Sequence, residues 1–297
     1  MLKKLKMIKL SRLLYEPIEE CVIARLTIDG NIILAKNRDR MYAPDLEVIH
    51  EIVGGIEIVY MRDTLTDWSE GLNEKGIGVV NASLMVGFDE KEGDLAKDKA
   101  KKGSKGKPSY DGQKIRTALS KSKLSQAMRS VISYRGEDEN DVGVKGMTIV
   151  SNAKHSFVVE MTSKHLPTIK RVGADELVTR TNHGIAYPDT GYTGGIKRHS
   201  SVERQQTSYD VLKNLSSKEH VLDALSKQHK SDKFMNPYRR DNAHNFTTSS
   251  QIMMDLANLK FEFRHDAGNS TFKGLVNKLP QGYEPKIEVV ITTTTDK

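Results

Sequence analysis

Residues 21–39, CVIARLTIDGNIILAKNRD, decide how this chain is read. From Cys21 to Thr27 the residues are largely β-branched or apolar, as in a strand. Asp29-Gly30 is a two-residue hairpin signal, and residues 31–35 (NIILA) supply the returning strand. The hairpin brings the start of the first strand beside the end of the second, so Cys21 comes near Lys36-Asn37-Arg38-Asp39. Cys21 is the only cysteine in 297 residues. A free cysteine is ordinarily a small buried hydrophobe, so its neighbours carry the case for chemistry. A thiol beside Lys36 or Arg38 has its thiolate stabilised, and the thiolate is the nucleophilic form. If the chain were cut between Glu20 and Cys21, the new α-amine, with an ordinary pKa of about 8, would share a residue with the thiol. That amine would serve as general base, with Asp39 to orient it.

Outward from the hairpin, residues 48–61 read as a second strand pair broken at Gly54-Gly55, and residues 76–84 (GIGVVNASL) as a further strand. Residues 113–134 carry Ile115, Leu119, Leu124, Met128 and Val131 at helical spacing. Residues 147–151 and 156–162 read as strands paired across a turn at 152–155. Residues 201–225 read as mostly helical, and 251–255 with 260–264 as a late hairpin. Strands, then helices, then strands, without regular βαβ alternation, predict an α+β layered fold and no doubly wound parallel sheet.

The length suits one large domain or two small ones and is ample for a core. A hydrophobic share of 37% with 22 glycines excludes a wholly disordered chain. One cysteine excludes a disulfide framework and any Cys-rich metal site. The nine histidines are scattered without ligand spacing, so neither a metal nor another cofactor is expected. No apolar run reaches the roughly 18 residues of a membrane span. The N-terminal MLKKLKMIKLSRLL threads charge through its apolar positions, unlike a secretory signal. The cytoplasm is therefore the expected compartment, and the N-x-S/T triplets at Asn81, Asn214, Asn245 and Asn269 read as coincidence.

The formal charge of +7 is concentrated. Residues 1–20, where positions 3–14 fit a short basic amphipathic helix, carry a net +2. The Lys/Gly/Ser-rich stretch from Lys91 to Lys107 carries a net +4, so the rest is nearly neutral. The Lys-rich stretch reads as an exposed loop. No zinc-finger spacing or aromatic-Gly signature accompanies it, so nucleic acid is not the expected partner. Contact with an anionic surface through the basic N-terminus or Lys91–Lys107 is the weaker reading. Nucleophile-elbow, phosphate-loop, H-E-x-x-H and EF-hand motifs are absent. The S-x-x-K matches at Ser120–Lys123 and Ser151–Lys154 are coincidences expected of a lysine-rich chain.

Several short segments, in order, resemble the N-terminal-nucleophile (Ntn) hydrolases of the choloylglycine hydrolase, penicillin V acylase and acyl-CoA:6-aminopenicillanic acid acyltransferase group. They are C-x14-K-N-R-D from Cys21 to Asp39 with its Asp29-Gly30 turn; GLNEKGIGVVNASL at 71–84; Thr181-Asn182-His183-Gly184; Ser200-Ser201-Val202-Glu203-Arg204; and FTTSSQIMMDLANLKFEF at 246–263. The resemblance implies a four-layer αββα sandwich over 21–297, with a mobile Lys-rich insert around 88–112 and a propeptide-like segment 1–20 removed by self-cleavage at Glu20-Cys21. It implies Cys21 as nucleophile, Asp39 holding its amine, Asn81 as an oxyanion-hole side chain, Asn182 as the second asparagine and Arg204 as the late arginine. Lys36 stands where the family usually has arginine, and Arg38 next door compensates. The expected activity is cleavage of a non-peptide C–N amide bond in a small-molecule substrate through an acyl-enzyme thioester. An acyltransferase on the same site is an alternative. So is a catalytically retired Ntn-fold protein with a structural or binding role. A homo-oligomer stays open.

Overall fold

The structure, a computed structural model, describes residues 19–84, 110–133, 143–162, 165–240 and 246–294. The basic helix expected at 3–14 and the Lys91–Lys107 stretch lie outside the described residues. The deciding hairpin forms as read: β1 (Glu19–Ile28) and β2 (Asn31–Arg40) pair in register from Glu19–Arg40 to Ile28–Asn31. Asp29 and Gly30 take φ of 52° and 76°, the two left-handed positions that such a turn needs.

β2 leads into a second sheet through β3 (Asp45–Val53), β4 (Ile56–Asp63), β5 (Ser69–Asn73) and β6 (Gly78–Ala82). The helices α1 (Tyr110–Leu119) and α2 (Leu124–Ile132) follow, then β7 (Gly146–Ser151), β8 (Ser156–Met161) and β9 (Thr168–Val172). The chain returns to the first sheet at β10 (Val178–Arg180) and continues into α3 (Gly195–Leu212), a 3-10 turn at Lys218–His220 and α4 (Val221–Ser226). It ends with β11 (Thr247–Asp255), β12 (Lys260–Asp266), β13 (Thr271–Asn277) and β14 (Glu288–Thr294). One sheet has the order β10-β1-β2-β11-β12-β14, the other β13-β3-β4-β5-β6-β7-β8-β9. Pairing is antiparallel except for β12 with β14 and β13 with β3. This is a mixed α+β chain, mostly sheet with few helices.

Strand alternation distributes the apolar side chains over three clusters. Cys21, Ile23, Ile32, Leu34 and Ile252 of the first sheet meet Val59, Met61, Val80, Ala82 and Met147 of the second. Ile58, Tyr60, Val79 and Val159, on the second sheet's other face, pack on Ile115, Leu119 and Val131 of α1 and α2. Ala24, Leu26, Ile33 and Ala35, on the first sheet's other face, pack on Leu212, Leu222 and Leu225 of α3 and α4. The central strands of each sheet are buried on both faces, whereas β9, β13 and β14 at the edges keep exposed residues.

The helix expected over 113–134 is two helices. Asn73 Nδ2 takes the carbonyls of Leu119 (2.7 Å) and Lys121 (2.9 Å), so α1 ends where a tertiary partner claims its last carbonyls. The stretch expected to be mostly helical over 201–225 is so, as α3, which starts earlier at Gly195 and ends at Leu212, followed by the 3-10 turn and α4. No helix among the described residues is long and apolar enough to cross a membrane.

Candidate active site

The β1–β2 ladder sorts the site residues onto two faces. Cys21 stands opposite Arg38 and packs in the cluster between the sheets; Glu20 stands opposite Asp39, on the face toward α3. β10 pairs with β1 only from Ile23 to Arg25, so beside Cys21 that ladder has run out. A side chain takes its place: the backbone N–H of Cys21 donates to Asn182 Oδ1 at 3.0 Å. Asn182 is held in turn, its N–H donating to Ser201 Oγ (3.0 Å) and its Nδ2 to the Ser83 carbonyl (2.8 Å). Arg204 joins the group from α3, donating to the Cys21 carbonyl (3.2 Å), Asn182 Oδ1 (3.2 Å) and Glu20 (2.7 Å), with Asp39 Oδ2 at 3.7 Å. Of the residues singled out in the sequence, Cys21, Asp39, Asn182, Arg204 and Glu20 are thus brought together.

Lys36, Arg38 and Asn81 are placed differently. Lys36 is ion-paired with Glu70 and donates to the Asn81 carbonyl (2.7 Å); Arg38 binds Glu70 (3.1 Å) and Asp63 (3.3 Å). The guanidinium beside the thiol is that of Arg40, with Nη1 3.8 Å from Sγ. The period-two pattern Lys36, Arg38, Arg40 was the available signal, because all three share the face that Cys21 shares. Asn81 occupies β6 as read, but its amide does not reach Cys21. Val80 and Ala82 face the inter-sheet cluster, and the two-residue period turns Asn81 the other way, where Nδ2 donates to Thr148 Oγ1 (2.7 Å) and the Lys145 carbonyl (3.2 Å). Its Oδ1 is buried without a hydrogen-bond partner.

Glu20 and Asp39 are two fully buried carboxylates on neighbouring strands. Two arginines make this tenable: Arg204, and Arg239, which no sequence pattern marked. Arg239 Nη2 lies 2.5 Å from Glu20 and its Nε 3.7 Å from Asp39; Tyr192 adds a hydroxyl to Glu20. For Glu20, burial works to raise the pKa, but the two arginines and Tyr192 outweigh it and hold the carboxyl below its usual range. For Asp39, burial prevails over both arginines and a hydrogen bond from Thr248 Oγ1 (2.7 Å). Repulsion from Glu20 adds to it, so its pKa is raised. Among the described residues no three His, Cys, Asp or Glu gather as metal ligands.

No family model matches the chain, and no curated protein sequence matches it. Among solved structures it is similar to penicillin V acylase from Agrobacterium tumefaciens, at a TM-score of 0.42 and 11% identity, covering 82% of this chain and 86% of that one. A likeness at that level assigns no residue, and the roles below rest on this chain's own geometry.

Proposed function

We propose that the chain is a cysteine Ntn amidohydrolase built as a four-layer αββα sandwich, cleaving a non-peptide C–N amide after losing residues 1–20. The order of packing, helices on sheet on sheet on helices, supports the architecture. The observation that carries the function is the bond from the Cys21 N–H to Asn182 Oδ1, made where the β10 ladder has ended. A nitrogen that must leave its peptide bond and become a free amine is better held by a side chain than locked in a sheet. Arg204 on the Cys21 carbonyl and Arg40 beside Sγ complete a group directed at this one residue.

In self-cleavage the Cys21 sulfur adds to the Glu20 carbonyl carbon. The C–N bond to Cys21 breaks, its nitrogen takes a proton, and water hydrolyses the thioester to free residues 1–20 and the thiol. In turnover the α-amine accepts the thiol proton, the sulfur attacks the substrate's amide carbon, and the leaving amine departs with that proton. Water then frees the acid; an acceptor amine in water's place would make the same site an acyltransferase. Asn182 Nδ2, with one N–H given to Ser83, has a second for the oxyanion, a donor type worth about 10²–10³ in rate. Asn81 is left a positioning role, its carbonyl anchoring Lys36. Asp39 orients the amine, and Arg40 supplies the positive charge beside the thiol, while Lys36 and Arg38, paired with Glu70 and Asp63, hold the strand that carries it.

One observation favours the retired-enzyme reading: Cys21 is 1% exposed in the uncut chain. Intact mass with N-terminal sequencing of wild type beside Cys21→Ala separates the two. The amidohydrolase reading expects a wild type beginning at Cys21 and an uncut variant. A wild type that keeps residues 1–20 overturns it in favour of a binding role.

A further inference from the structure

Glu20 is more elaborately bound than a discarded residue requires. It is fully buried, and its carboxylate is held by Arg204 (2.7 Å), Arg239 (2.5 Å) and the Tyr192 hydroxyl. Arg239 is fixed between the rings of Phe234 and Phe246, 4.4 and 5.1 Å from their centroids, and its Nη1 is buried without a hydrogen-bond partner. Loss of residues 1–20 would leave both guanidiniums facing Asp39 as their remaining carboxylate. A buried, uncompensated positive charge is costly, so the vacated seat favours an anion.

We propose that this seat is the carboxylate subsite of the mature enzyme, and that its substrates are amides with an acidic acyl half of glutaryl type, the same carbon chain as Glu20's own from main-chain carbonyl to side-chain carboxylate. The inference rests on the Ntn reading above. In self-cleavage the first acyl group carried by the Cys21 sulfur is that of Glu20, with its carboxylate between the two arginines. A substrate's acyl carbon later bonds to the same sulfur, and a chain of equal length leads back to the same pair. The sulfur–carbon bond forms as the amide C–N bond breaks. The amine leaves with the thiol's proton, and water releases the dicarboxylic acid and restores the thiol.

The test compares glutaryl-p-nitroanilide with pentanoyl-p-nitroanilide on purified full-length protein whose processing is read by intact mass. The expected result is a kcat/KM about 10- to 100-fold higher for the glutaryl amide, the range of a charge-assisted hydrogen bond. Equal or faster turnover of the pentanoyl amide overturns the subsite and leaves the amidase standing. An uncut chain that turns over neither removes both. A second arm needs no processing: Glu20→Gly in the Cys21→Ala background empties the seat directly. Propionate, a mimic of the lost side chain, should raise the melting midpoint or the soluble yield of the double variant. It should do neither for Cys21→Ala, whose seat is filled, and propionamide should fail with both. A double variant indifferent to propionate in both readouts overturns the proposal.

Discussion

His183 borders the candidate site and shows how finely its charges are arranged. Its Nδ1 lies 2.9 Å from the Ser201 hydroxyl, the same oxygen that accepts the Asn182 N–H. Burial, and then the nearby positive charges of Arg198, Arg204 and Arg180, push its pKa from 6.5 down to about 4. The unfolded chain therefore takes up a proton at a pH where the folded chain does not. Stability from this group is fully present above about pH 6.5 and is lost as pH falls toward 4, by up to about 3 kcal/mol. Urea unfolding across this window should show the slope in wild type and a flatter curve in His183→Asn. Parallel curves would exclude His183 as its source. At this scale Cys21, Asp39, Asn182 and Arg204 were legible because each sits in a short motif. Arg40 was legible in principle from strand alternation. Arg239 and Tyr192 were not, since each reaches Glu20 across more than 170 residues of sequence.

The elements follow local chemistry until a tertiary contact intervenes. Asp29-Gly30 turns as its residue types require, and a Cβ at Gly30 would meet nothing within 4 Å. Gly146, with φ of 121°, is tighter: a Cβ there would lie 2.5 Å from the Ala82 carbonyl oxygen and 3.0 Å from Asn81 Nδ2. Gly30→Ala should cost only the left-handed backbone penalty, about 1–2 kcal/mol. Gly146→Ala adds a clash at the β6–β7 pairing and should cost more, roughly 2–4 kcal/mol. Unfolding free energies of the two variants, measured side by side, check this; the reverse order would contradict it. The early and late hairpins were readable because alternation and turn residues lie within one short window. β13 and β14 were not, because each pairs in parallel with a strand it reaches only after the chain has crossed between sheets.

Across the whole molecule, a buried charged network joins the two sheets. Glu70 of β5 receives Lys36 and Arg38 of β2 and the Trp68 indole N–H (2.5 Å), while Asp63 of β4 takes Arg38 and the Tyr42 hydroxyl (2.6 Å). Opposite charges hold Glu70 below its ordinary pKa despite burial, which is the largest single influence on it and acts to raise it. Glu70→Gln would leave Lys36 and Arg38 short of a counter-charge and should cost about 3–5 kcal/mol. Chemical denaturation of this variant checks the value, and a loss within error of zero would remove the network as a tie between the sheets. By itself the sequence determined the α+β class, the opening hairpin and the isolation of one cysteine beside a basic strand end, all consequences of local periodicity and residue type. Only the tertiary structure decided that the basic run on β2 splits between Glu70 and the thiol, that Asn81 turns its amide away, and that Arg239 helps to seat Glu20. Those outcomes depend on which faces of distant strands meet, and burial makes each buried charge find its partner wherever the fold, and not the local sequence, provides one.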